Sequence, residues 1–400
     1  MNEQQAITLV QKTFTSAFDR SGYIHFLKNL LNEYDDEGAR SNQGARIPDK
    51  FQNYVEKLER VGKYLVDDHE IMLFIVYLKN DTSIERARTM QRNFVAAYLQ
   101  KDMKDAALVA FVSKDPADWR FSFIKMEYRY DEEQNKIREE FTPAKRWSFL
   151  VGTHEASHTA QRKLVPLMAD DEHNPTLADL EDAFNIEKVT KEFFEKYRGL
   201  FIRTKEELDE AVSADPKVRR EFESKRIDTV NLANKLLGQI IFLYYMQKKG
   251  WFGVARDAAW GQGSRNFLRE LFDKKHGDYK NFFNDILEPL FYDALRRDRS
   301  EDDHYYPAFK CKIPFLNGGL FDPMNNYDWV KTDILLPNEL FHNQTKTKEG
   351  DVGDGILDIF DRYNFTVKED EPFEKEVAID PELLGKAYEK FNAIRPDNYD

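Results

Sequence analysis

Only one cysteine, Cys311, occurs among the 400 residues. That excludes a disulfide framework and any cysteine-based zinc site, and it suits a reducing cytoplasm. No run approaches about 18 uninterrupted apolar residues, so no membrane-spanning helix is expected. The opening MNEQQAITLVQK lacks the basic-then-apolar layout of a signal peptide. A Gly-rich phosphate loop is missing too: Gly261-Gln262-Gly263-Ser264-Arg265 has no Lys-Ser/Thr and reads as a loop before a helix. Positive charge is in deficit. With 59 Lys and Arg against 72 Asp and Glu, the net charge of −13 advertises no DNA-binding surface, although another part of a multidomain enzyme can supply a basic cleft. What is abundant is apolar: 41% hydrophobic and 14% aromatic residues rule out a disordered chain, and the length suits two or three domains.

Periodicity divides the chain. QQAITLVQKTFTSAF and YIHFLKNLLNEY carry apolar residues at helical spacing, and FQNYVEKLERV reads as another amphipathic helix. From Gly62 the pattern changes to short runs rich in branched and aromatic residues: GKYLV, IMLFIVYL, ALVAFVS and WRFSFIKMEY, all strand-like. A strong helix, SIERARTMQRNFVAAYLQ, interrupts them, and DEEQNKIREEFTP forms a charged hairpin loop or linker. RWSFLVG precedes a helix through Met168, and ADDEHNPT marks the best boundary. Beyond it helices dominate. TLADLEDAF opens with a Thr176…Asp179 capping pattern, and the nearly all-apolar LLGQIIFLYYMQKKGWFG suits a helix buried in a bundle. The expected architecture is α+β: a mixed α/β domain over 1–170, with a central sheet, followed by a mainly α-helical domain over 171–400.

Two patterns invite chemistry. His154-Glu155-Ala156-Ser157-His158 matches H-E-x-x-H, which on a helix would set two imidazoles on one face for zinc, with Glu155 activating water. For a third ligand the residues downstream offer His173 and ordinary Glu residues, and the competing reading is two polar histidines near a helix start beside a capping Thr153. In SIERARTMQRNFVAAYLQ, Arg88 and Arg92 share a helix face and are candidates for DNA phosphate contacts, with Arg86 nearby. KVRREFESKR at 217–226 is a second basic helix.

The ordered series IPFLNGGLF, ILLPNELF, DRYNFTV and EVAIDPELLGKAYEKF, together with LLGQIIFLYYMQKKGWFG and NFFNDILEPLFYDAL, resembles one family. It is similar to the bacterial combined restriction-modification proteins of types IIG and IIL, which carry an N6-adenine DNA methyltransferase. The resemblance covers roughly residues 140–395. In that family the series precedes the methyltransferase domain and its G-x-Y-Y-T-P element, so the chain is expected to be the N-terminal part of such an enzyme. No F-x-G-x-G loop or N-P-P-Y tetrapeptide is present, and His173-Asn174-Pro175-Thr176 does not replace one. S-adenosylmethionine is therefore expected only in the methyltransferase domain.

The resemblance also implies an N-terminal PD-(D/E)xK-like nuclease sheet using Mg²⁺ on DNA. The matching positions are Asp67 and Asp68 at a strand turn and Lys79 ending the next strand, with Asp68 as metal ligand. Tyr77 stands where the second acid belongs, and Glu70 or Asp81 would have to substitute. Competing readings are a helical spacer without chemistry and a zinc hydrolase built on His154 and His158.

Overall fold

The two most apolar runs form the two central strands, as continuous burial requires. They belong to a computed structural model that describes residues 1–32, 34–43, 46–79, 84, 87–126, 129–131, 136–138, 144–316, 318–366 and 373–379, with backbone alone at 129–131 and 136–138. The chain forms two compact units. The first comprises residues 1–190 and 362–383, the second mainly 191–361. Asp81, Glu85, Arg86, Asn317 and the stretch from Asp380 onward lie outside the described residues.

In the first unit, α1 (Glu3–Phe14) starts at a capping box on Asn2, and α2 (Arg20–Leu30) starts where Asp19 accepts from the amides of Ser21 and Gly22. The strands are β1 (Arg40–Gln43), β2 (Val55–Val66), β3 (His69–Leu78), β4 (Ala106–Val112) and β5 (Asp118–Lys125). Helix α3 (Arg88–Lys101) joins β3 to β4 as a crossover between parallel strands. A small hairpin of β6 (Arg129–Asp131) and β7 (Lys136–Arg138) precedes β8 (Lys145–Gly152), then α4 (His158–Ala169) and α5 (Leu177–Ala183). Thr176 and Asp179 make the expected capping box on α5.

One mixed sheet of seven strands results, ordered β1-β2-β3-β4-β5-β8-β11. Its last member, β11 (Glu374–Glu376), runs parallel to β8 at the edge. On one face Phe94 and Val95 of α3 pack against Leu58, Phe74, Val76, Val109 and Phe111. On the other, Phe14 and Phe26 meet Phe121 edge-on, at 5.9 and 5.4 Å between ring centroids, and Phe184 lies 4.8 Å from Phe149.

FQNYVEKLERV is not a helix. Its second half is β2, and its helix-like spacing has a physical cause. The β2–β3 register slips between Val55 and Lys57 and again between Arg60 and Gly62. Each bulge adds a residue, so inward positions recur at Val55, Leu58 and Val61 as they would on a helix turn.

The second unit is helical among the described residues: most of α6 (Ile186–Ala214), α7 (Pro216–Lys225), α8 (Thr229–Lys248), α9 (Phe267–Phe272), two π-helical stretches at Phe283–Leu287 and Leu290–Ala294, and α10 (Ile356–Phe360). A two-stranded pair, β9 (Tyr305–Tyr306) and β10 (Cys311–Lys312), completes it. The apolar α8 is buried nearly throughout, and Gln239 on it donates to the Leu320 carbonyl at 2.8 Å. No helix among the described residues is long and apolar enough to cross a membrane.

Candidate functional site

The proposed nuclease triplet does not assemble. Asp67 and Asp68 form the tight β2–β3 turn, both exposed, with Asp67 at φ 51°. Lys79 is exposed beyond the opposite end of β3. Ten strand residues separate turn from lysine, roughly 30 Å at about 3.3 Å per residue, so Asp68 cannot share a metal with a group at Tyr77 or Lys79. Glu70 is no substitute, because Lys104 holds its carboxylate at 2.6 Å near the same far end. Asp67 and Asp68 are the nearest acids along the chain, but in a hairpin the residue facing Tyr77 comes from much earlier in β2.

That partner is Lys57 by register, and two residues along β2 stands Glu59. Alternation puts Lys57, Glu59 and Tyr77 on one face, opposite to Leu58 and α3. Glu59 is 7% exposed. Its Oε1 accepts from Arg20 Nε of α2 at 2.6 Å, and its Oε2 from Lys57 Nζ at 3.3 Å. Burial opposes the charge of Glu59, yet Arg20 and Lys57 together leave its pKa below the usual carboxylate range. Lys57 also lies 5.1 Å over the Tyr77 ring, and Phe18 packs edge-on against that ring at 6.2 Å. This is an acid beside a Tyr-x-Lys strand end, with two cations where a metal would need free oxygens.

Arg88 and Arg92 do share a face, but it is the buried one: they are 8% and 7% exposed. Arg92 Nη1 lies 3.1 Å from Glu374, while Arg88 lies 3.5 Å from Glu374 and 3.7 Å from Glu376. Two acids from the sheet edge thus take the place assigned to DNA phosphates, and neither arginine is presented to solvent.

The same face carries a larger polar network. Arg146 of β8, 3% exposed, donates to Ser122 and Ser148 at 3.1 and 3.0 Å, to Gln91 Oε1 at 2.9 Å and to the Arg88 carbonyl at 3.3 Å. Its guanidinium sits 4.3 Å over the Phe111 ring. Burial pulls the Arg146 pKa down to about 9, against the pull of Glu374 and Glu376, so it stays charged at neutral pH. Arg120 is raised above its ordinary value: burial disfavours its charge, and Asp118, Glu376 and Glu155 outweigh that. Thr366 closes the network by donating to Glu376. Four buried arginines thus gather around two buried acids, Glu374 and Glu376, with the partly buried Glu155 and the more exposed Asp118 at the margin. No periodicity in the sequence could have found it, because its two buried acids, Glu374 and Glu376, follow its arginines by more than 200 positions.

The H-E-x-x-H match is not helical. Residues 153–157 form a turn and irregular backbone, and α4 begins at His158, so the two histidines do not stack one helical turn apart. Glu155 accepts from Asn364 at 2.9 Å. Among the described residues no group of three or more His, Cys, Asp or Glu is placed to hold a metal. The second basic stretch is α7, whose Lys217, Arg219 and Arg220 are exposed. Gly261–Arg265 is a loop.

The second unit holds its own buried acid. Glu288 is 0% exposed, accepts from the Tyr327 hydroxyl through Oε1, and its Oε2 has no hydrogen-bond partner. Burial drives its pKa well above the carboxylate range, with Tyr327 acting in the other direction.

No protein-family model, curated protein or solved structure matches this chain.

Proposed function

We propose that the chain is the N-terminal region of a bacterial restriction-modification enzyme acting on DNA, with a nuclease-like sheet in the first unit and a helical connector in the second. The observation that carries this reading is the placement of Glu59, on β2, on the same sheet face as Tyr77 of the antiparallel β3, which stands two residues before Lys79 just past the strand end. The resembled nuclease has an acid on one strand and an acid-x-Lys element on the next; here Tyr77 stands in the place of the second acid. The sequence series from Ile313 to Phe391 supports it independently.

Mg²⁺ does not fit the residues present. Both Glu59 oxygens are occupied by Arg20 and Lys57, and Tyr77 supplies no second carboxylate. A metal clamp needs at least two free hard oxygens. On this reading the sheet contacts DNA without cutting it, and S-adenosylmethionine chemistry belongs to the methyltransferase that the resemblance implies. Incubating the full-length protein with DNA and Mg²⁺ tests this: no cleavage is expected from this unit. Mg²⁺-dependent cleavage that survives inactivation of the methyltransferase, and is lost in Lys79→Ala, would overturn the non-cutting assignment. No DNA binding by the full-length protein would favour a structural spacer instead.

A further inference from the structure

We infer that the β1 edge of the sheet holds a phosphodiester-binding site built on Arg40 and Arg60. The inference rests on the reading of a DNA-acting protein but names different residues from those first expected. Arg40 and Arg60 are direct partners in the antiparallel β1–β2 register. Their Cβ atoms are thus about 5 Å apart on one face, where like charges destabilise a strand pair. Among the described residues no carboxylate forms an ion pair with either. Asp35, the acid that senses Arg60, is held by Lys63 at 3.4 Å, and Asp36 and Glu37, next to Arg40 in sequence, make no bridge to it.

Arg60 adds a second signal. Its Nε is buried and has no hydrogen-bond partner, in contrast to the Nε of Arg146 with two serine acceptors. A half-buried guanidinium with an idle donor, set against a second arginine, lacks an anion. Tetrahedral phosphate oxygens suit two arginine forks better than one carboxylate does. The strand itself reads Arg-Ser-Asn-Gln, exposed except for partly covered Asn42, and offers short polar groups to phosphate and sugar. Register places Asn42 opposite Leu58, on the same face as the arginine pair. Tyr98 of α3 borders this face, engaging Asn42 and sensing Arg40.

The test uses the full chain with a 20-base-pair duplex in EDTA, measuring affinity by fluorescence anisotropy between 50 and 200 mM salt, with inorganic phosphate as a second probe. Arg40→Gln and Arg60→Gln should each flatten the log–log salt slope by about 0.9, the loss of one phosphate contact. Thermal melting of Arg40→Gln should match or exceed that of the unmodified protein, because a repulsion is removed, so weaker binding cannot be ascribed to unfolding. DNA binding with an unchanged slope in the double variant would overturn the site while leaving the DNA reading intact. If the chain ignores DNA but phosphate raises its melting temperature only with both arginines present, the anion site stands and the DNA reading falls. If neither probe binds, the site is overturned.

Discussion

Glu376 in the sheet unit and Glu288 in the helical unit are both withdrawn from water, at 3% and 0% exposed, and they meet that condition differently. Glu376 lies 3.7 Å from Arg88 and 3.6 Å from Arg120 and accepts from Thr366. Glu288 has a tyrosine hydroxyl on one oxygen, nothing on the other, and Asp285 and Asp333 as its nearest electrostatic influences. Burial favours the neutral form of an isolated carboxylate, whereas arginines at ion-pair distance favour the charged one. Burial alone therefore says nothing about charge; the partners decide.

The largest test of this contrast is removal of a counter-charge. Glu376→Ala should destabilise the first unit by about 3–5 kcal/mol, since buried arginines lose their partner, whereas Glu288→Gln should shift denaturant midpoints by no more than about 1 kcal/mol, because a neutral amide replaces a neutral acid. Equal losses in the two variants would refute the assignment of opposite charge states.

The pH dependence sharpens the comparison further. A raised folded pKa means that above the ordinary value of 4.5 the folded state keeps a proton that the unfolded chain has released. Stability contributed by neutral Glu288 is thus complete below that pH and declines as pH rises toward the folded pKa, at up to about 1.4 kcal/mol per pH unit. Urea unfolding followed from pH 4 to 8 should show this downward component in the unmodified protein and not in Glu288→Gln. An identical profile in both would show that Glu288 is ionised in the fold.

The smallest expected effect probes redundancy inside the arginine network. Ser122→Ala removes one acceptor from Arg146 and leaves Ser148, so about 1 kcal/mol should be lost. A loss as large as that of Glu376→Ala would mean that the serine pair, with its 2.7 Å contact, holds the strand register itself.

Local order was legible wherever local forces set it. The runs at 71–78 and 106–112 are apolar on both faces because both faces are covered, and Thr176 with Asp179 closes a cap whose groups are three residues apart. The candidate site was legible only in its last strand. Tyr77-x-Lys79 is visible in the sequence, but nothing in a linear pattern reveals that the bulge between Arg60 and Gly62 sets Glu59, and not Asp67 or Asp68, on the face of Tyr77.

By itself the sequence determined the mixed α/β character, the absence of a cysteine framework and the shared face of Arg88 and Arg92, all of which follow from composition or from spacings within one element. Only the tertiary structure decided what that face meets. Glu374 and Glu376 return from beyond the second unit to lie beside β8, and they turn two arginines that a helical wheel would offer to DNA into buried counter-ions. Spacing along a helix orients a side chain, but the sign of the charge across from it comes from pairing between strands distant in sequence, which a one-dimensional pattern does not encode.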